Sequence, residues 1–288
     1  MNLIFTILYS VSIASGQGPL TDAQKAKWVD YHPNMPAEAV KRTSERYPLS
    51  DQADVGGWVR YESMTDEFRE GGLDLRKWKY TNPDWQGRQP GWFDPANSVV
   101  HNGFLELYAR KAEPAGMPKG QGYHTFTTAA IKSTATTCYG YFEMRAKVMN
   151  SAASSSFWFT GGDGEHANEI DIFEIGGNAP GFERKMHITV HSWRTPEYKD
   201  HWGFGSAFVA PARLTDDFHV YGFEWDPQEL KFYYDGVLVR KGPNTHWHQA
   251  LGLNIDSETM PEWFGLPNEA DLPSVYRIAY LRAWKKRT

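Results

Sequence analysis

Asn168-Glu169-Ile170-Asp171-Ile172-Phe173-Glu174-Ile175-Gly176-Gly177 is the stretch from which the fold of this chain is read. Glu169 and Asp171 alternate with Ile170 and Ile172, the period-two pattern of a strand with one polar and one apolar face. Strict alternation past Ile172 would carry Glu174 to the apolar side, where an unpartnered carboxylate is costly. One extra residue near Ile172-Phe173 returns it to the face of Glu169 and Asp171. The residues therefore predict a β-bulge inside the strand, a feature favoured beside active sites.

The β pattern continues on both sides. Val99-Val100 and Phe104 to Ala109 flank Asn102-Gly103, a strong hairpin signal. Ala129-Ala130-Ile131, Gly140 to Val148 and Phe157-Trp158-Phe159 precede the acidic strand. His187 to Trp193, Phe218 to Trp225, Leu230 to Tyr234 and Val237-Leu238-Val239 follow it, with Asp235-Gly236 as a second turn, and Val275 to Trp284 closes the chain. Many short strands with turn chemistry and few convincing helices predict an all-β chain, a two-sheet antiparallel β-sandwich or jelly roll. Residues 17 to 60 are polar, with scattered Pro and charges. They read as an N-terminal extension packing on the domain, with a short helix expected over Ala37 to Tyr47. The β domain spans 61–288.

Aromatics make up 15% of the 288 residues, with 12 Trp and 15 Tyr. That exceeds the need of a core, and Trp with one wet edge suits a binding surface such as one for sugar rings; a core plus a decorated surface is the plainer alternative. The formal charge of −5 gives no support to a nucleic-acid partner. The single Cys138 excludes an internal disulfide and a multi-Cys zinc site, and a buried, inert thiol is expected. Met1 to Gly16 is a short apolar run ending in small residues, too short to span a bilayer. It resembles a signal peptide cleaved near Gly16, without positive charges before the run and without a Cys for a lipid anchor. Secretion, or a periplasmic or cell-surface location, is expected. No later segment reads as a membrane span.

Three carboxylates on one face repel one another, so at least one should hold its proton tightly. A proton-holding acid beside an ionised one is what glycoside hydrolysis needs, and a retaining mechanism places the pair about 5–5.5 Å apart. Neighbouring positions on one bulged strand suit that spacing. A solvated polar face and a calcium site are the other readings of such acids. The bulk of Ile170, Ile172, Phe173 and Ile175 argues against the first.

Glu169 to Glu174 matches the signature of glycoside hydrolase family 16 in its form with a bulged catalytic strand. Asp66-Glu67-Phe68, Leu73-Asp74, Lys77-Trp78, Ser98 to Ala109, Tyr139 to Ala146, Phe218 to Arg240 and Tyr276 to Trp284 also resemble the family, in the right order. The resemblance implies a jelly roll with a concave substrate cleft and endo-cleavage with retention. It implies Glu169 as nucleophile, Glu174 as general acid/base and Asp171 as the partner that tunes them. Many members carry an Asp of a calcium site in the last strand. Here that position is Ala279, so structural calcium lacks that ligand, and no cofactor is required.

The loop Asn82 to Phe93 points to the polysaccharide. Trp85 offers a stacking surface and Arg88 a fork of donors suited to a sulfate, unless Arg88 pairs with Asp84 or Asp94 and only stiffens the loop. A Trp followed three residues on by Arg is similar to the red-algal β-porphyranases, which implies a sulfated galactan as partner. The loop looks less like that of many β-agarases, whose substrate is agarose. Further candidates for sugar contacts are Trp158, Trp193, His187, His191, Arg184 and Glu262. His187 and His191, four apart on a strand, share a face; zinc fits their spacing, but no third ligand is evident. A non-catalytic carbohydrate-binding jelly roll is the competing reading from another class. The chain is expected to act as a monomer.

Overall fold

The computed structural model of this protein describes residues 18–31, 40–69, 71–195 and 198–287. The expected leader, Met1 to Gly16, lies outside the described residues. The helix expected over Ala37 to Tyr47 is not formed across its described part, 40–47. There, the N–H groups of Thr43 and Ser44 donate to Gln52 Oε1 at 2.7 and 2.8 Å instead of entering a helical ladder. The α-helix of this region is the single turn Asp22–Lys25, closed by a capping box between Thr21 and Gln24.

Two sheets carry the fold. The first runs Val29–Asp30, Val237–Pro243, Glu229–Tyr234, His219–Trp225, Gly140–Lys147, Ser274–Lys286, Phe104–Lys111 and Ser98–His101, all antiparallel, with Trp58–Arg60 also paired to the C-terminal strand. The second runs Lys199–Val209, Lys185–Arg194, His166–Ile175, Ser155–Gly162, Leu251–Ser257, Phe126–Thr137 and Trp78–Lys79, also antiparallel. Phe126–Thr137 reaches Phe104–Lys111 as well, so the sheets join along one edge. Both turn signals act as read: Asn102-Gly103 and Asp235-Gly236 take positive φ at both positions, the geometry of tight hairpins.

Besides the short Val29–Asp30 and Trp58–Arg60, two long strands go beyond the sequence reading. Lys199–Val209 carries Gly203 and Gly205, and Leu251–Ser257 carries Gly252, Asn254 and Asp256, residue types that strands disfavour. Pairing with neighbours on the sheet overrides that preference.

The core forms where the apolar faces meet. Ile170, Ile172, Phe173 and Ile175 from the acidic strand are fully buried, as are Phe142, Tyr221, Phe223 and Tyr276 opposite. Phe173 lies 4.3 Å from the Tyr221 ring, and Phe159 lies 4.8 Å from that of Phe142. Each such side chain contributes about 1.5–3 kcal/mol of burial, which pins the strand from behind. The N-terminal segment is tied to the same body. Arg42 pairs with the buried Glu143, which also accepts from Leu49 N at 2.6 Å and from the Tyr280 hydroxyl at 3.0 Å.

Candidate active site

The acidic strand is irregular where the sequence requires it. Against Lys185–Arg194, Asp171 faces Thr189 and Glu174 faces His187, so that two residues, Ile172 and Phe173, stand against the single Ile188 of the other strand. Ile172 and Phe173 both turn into the core with no exposed surface. One extra residue therefore puts Asp171 and Glu174 on the cleft side together, without burying a carboxylate among aromatics. Gly176 and Gly177 follow because no side chain fits there. A Cβ on Gly176 would lie 2.6 Å from the Phe264 ring, and one on Gly177 would lie 2.1 Å from the Met149 carbonyl.

Glu169, Asp171 and Glu174 line a cleft of about 580 Å³. Trp85, Arg88, Trp158 and Trp193 line it too, as the sequence reading expects of sugar contacts. The other four candidates differ. His191 sits beside the acids, with Nε2 3.2 Å from Asp171 Oδ2. His187 does not line the cleft. Its ring packs against Phe182, Trp263 and Phe264, and burial pushes it down to about 4, so it stays neutral. The bulge lies between the register partners of the two histidines, which separates their surroundings although they share a face. Arg184 is spent on the protein, its Nε donating to the Ala210 carbonyl at 2.7 Å. Glu262 lies exposed in the turn after Met260, away from the cleft lining. Cys138 is half-buried rather than buried, and burial raises its thiol.

Two cleft carboxylates escaped the sequence reading. Asp256 and Glu258 project from the end of Leu251–Ser257, and both are buried. The signal was present: Asn254, Asp256 and Glu258 alternate with Leu253, Ile255 and Ser257 as Glu169 and Asp171 alternate with their isoleucines. Each acid holds an aromatic wall. Trp158 Nε1 donates to Asp256 Oδ2 at 2.7 Å, and Trp85 Nε1 donates to Glu258 Oε1. Arg88 stacks over Trp85 at 5.8 Å and brings Nε to 3.5 Å from Glu258 Oε2. Its partner is thus neither Asp84, which pairs with Lys132 at 2.6 Å, nor Asp94, which caps Ala96 N.

Burial and mutual repulsion dominate the electrostatics. Glu174 is raised to about 8, by burial first and then by Asp171, while His191 and Arg88 oppose the shift. Burial also raises Glu169, with Asp171 adding to it and His191 opposing. Burial raises Asp171, and Asp256 adds to that. Such a group loses its protons collectively, so some carboxyls stay protonated at neutral pH while others ionise. Trp247 Nε1 clamps the backbone between them, donating to the carbonyls of Glu169 at 2.9 Å and His191 at 3.3 Å. Glu169, Asp171 and His191 also bring one donor atom each to within 4.8 Å of one another, a set able to converge on a metal ion; His187 is not part of it. A carboxyl that gives a proton beside one that attacks needs no ion.

Comparison with known proteins identifies the family. Residues 58–286 match the family model described as the GH16 domain of beta-porphyranases A–D. Beta-porphyranase D of Zobellia galactanivorans is 30% identical over 265 residues, covering 79% of this chain and 61% of that protein. The chain thus spans about three-fifths of that relative's length. Beta-agarase A of the same organism is 28% identical over 265 residues, covering 79% of this chain and 46% of that protein. The crystal structure of a beta-porphyranase from the human gut bacterium Bacteroides plebeius superposes with a TM-score of 0.71 at 25% identity, covering 79% of this chain and 91% of that one. With its two-sheet fold and its acids on a bulged strand, the chain belongs to glycoside hydrolase family 16, in the beta-porphyranase A–D group, and is a glycoside hydrolase.

Proposed function

We propose that this protein is a retaining endo-hydrolase of β-1,4-galactosidic linkages in a red-algal sulfated galactan, porphyran, with Glu169 as nucleophile, Glu174 as acid/base and Asp171 assisting. The observation that carries the reading is the bulge, which places Glu174 in the same cleft as Glu169 with its proton affinity raised to about 8. A protonated Glu174 gives its proton to the glycosidic oxygen as the bond to the anomeric carbon breaks. Glu169 bonds to that carbon, and the shorter sugar chain leaves. Glu174, now ionised, takes a proton from water, whose oxygen displaces Glu169 and restores both carboxyls. The chemistry needs no cofactor.

The Trp85–Arg88 pair supports porphyran, since Arg retains donors beyond the Nε that faces Glu258. One observation favours agarose as a second reading. Among the described residues, the cleft lining holds Asp84, Glu169, Asp171, Glu174, Asp256 and Glu258 against Arg88 alone as a permanent cation. A neutral galactan meets no repulsion there. A polymeric substrate is met outside the cell, which fits secretion or surface display directed by Met1 to Gly16, and we propose that the chain acts as a monomer.

Reducing-end release should be measured on porphyran before and after removal of its 6-sulfates, with Glu169→Gln as control. Loss of rate on desulfation supports porphyran. Equal rates assign the enzyme to the agarose side. No release from either galactan, with binding intact, would turn the reading toward a carbohydrate-binding protein.

A further inference from the structure

His201 has no part in the reaction just described, yet it is aimed at its centre. We infer that His201 is a positioning residue: it donates to His191 Nδ1, fixes His191 as the Nε2–H tautomer, and so keeps the face of Asp171 beside His191 free of a proton. The inference rests on the proposed roles of Asp171 and Glu174.

The pairing of Lys185–Arg194 with Lys199–Val209 slips between Ser192 and Arg194. Asp200 and Tyr198 take φ of +53° and +52° beside that slip, conformations that L side chains rarely adopt. The irregularity leaves His201 without an opposite residue and brings its Nε2 to 3.1 Å from His191 Nδ1. The two imidazoles are nearly parallel, with 14° between planes and centroids 5.1 Å apart, and Tyr198 stacks on His201 at 5.0 Å. Gly203, the register partner of His191, makes room for the arrangement, since a Cβ there would lie 2.6 Å from His191 Nδ1. On the other side, His191 Nε2 lies 3.2 Å from Asp171 Oδ2.

With Asp171 taken as an ionised member of the cluster and His191 as neutral, donor and acceptor counting sets the proton positions. An ionised carboxylate only accepts, so His191 must present Nε2–H to Asp171. A neutral imidazole carries one proton, so its Nδ1 is a lone pair and His201 must present Nε2–H to it. Without His201, the neighbouring state becomes available, with Asp171 protonated and donating to Nε2 while His191 carries its proton on Nδ1. That state draws the proton shared by the acid cluster away from Glu174, where bond cleavage needs it. His201 therefore acts on the reaction through His191 and touches no substrate.

The test uses the full chain with 15N-labelled histidine. Long-range 1H–15N NMR reads the tautomer of His191 without substrate, and kinetics on porphyran and on agarose read its consequence. His201→Phe keeps a flat ring for Tyr198 and removes the donor. His201→Gln keeps an N–H that can reach Nδ1. The His201 side chain is exposed, and matched thermal melts establish that both variants fold. Wild type should show His191 protonated at Nε2 alone. His201→Phe should show Nδ1–H and lose kcat by about tenfold with KM changed by less than about twofold, while His201→Gln should recover to within about threefold of wild type. A wild-type His191 protonated at Nδ1 would overturn the inference. So would a His201→Phe protein with unchanged tautomer and kcat, or a His201→Gln protein as impaired as the Phe variant. The tautomer is read without turnover, so a wrong tautomer sinks this inference alone, whereas a correct tautomer in a protein that cuts no galactan sinks the hydrolase reading alone.

Discussion

Raising the pH from 7 to 9 should cost this enzyme about nine-tenths of its kcat/KM. In the proposed role of acid/base, Glu174 must enter the reaction protonated, and burial among like charges lifts it from 4.5 to about 8. At pH 7 roughly 90% of the molecules then hold that proton, and at pH 9 roughly 10% do, a tenfold fall. The same shift acts on stability. A carboxyl whose folded pKa lies above its unfolded value favours the folded state at low pH, and that contribution is lost as the pH rises from about 4.5 through about 8. Carried through linkage, the rise from 4.5 to about 8 is worth about 5 kcal/mol once the pH exceeds both values. Glu174→Gln removes the titration. It should abolish cleavage and, at pH 9, be more stable than wild type by about that amount, with the two proteins nearly equal at pH 4. Initial rates of reducing-end release between pH 5 and 10, with denaturant unfolding of both proteins at pH 4 and pH 9, measure each part. A rate that stays level to pH 10, or a Glu174→Gln protein no more stable than wild type at pH 9, would refute the claim that a buried, proton-holding Glu174 drives the chemistry.

Arg42→Ala should leave Glu143 buried with only Leu49 N and the Tyr280 hydroxyl as donors. Losing one partner of a buried pair costs about 3–5 kcal/mol, and the two remaining donors place this case near 3, visible as a lower denaturation midpoint with kcat unchanged. An unmoved midpoint would show that the N-terminal segment is not anchored through this pair. Gly203→Ala should drive a methyl into the His191 ring and lower kcat with little change in overall melting, because Gly203 has an ordinary φ and only the imidazole must move. Wild-type kcat in that variant would mean that the ring position does not matter to the chemistry.

Much of the acidic cluster in the cleft could be read from ten consecutive residues. The polar and apolar alternation of Glu169 to Ile172, and its failure at Phe173, require a bulge because a buried lone carboxylate is too costly, and the ladder slips at that point. Asn102-Gly103 and Asp235-Gly236 were readable for a similarly local reason, since few residue pairs accept two successive positive φ values. The loop reading was half legible. Trp85 and Arg88 reach the cleft, but the partner of Arg88 is Glu258, 170 positions along the chain, and no local rule selects it over Asp84 or Asp94.

The sequence by itself determined which side chains each strand shows to its two faces, because that depends on a residue, its immediate neighbours and the cost of burying charge. The tertiary structure alone decided which separate segments share the cleft. It brought Asp256 and Glu258 against the acidic strand, sent His187 under Trp263 while leaving His191 on Asp171, and laid His201 beside that ring. Those choices depend on strand order, on register slips and on gaps left by residues such as Gly203, all of which exist only once distant strands have paired.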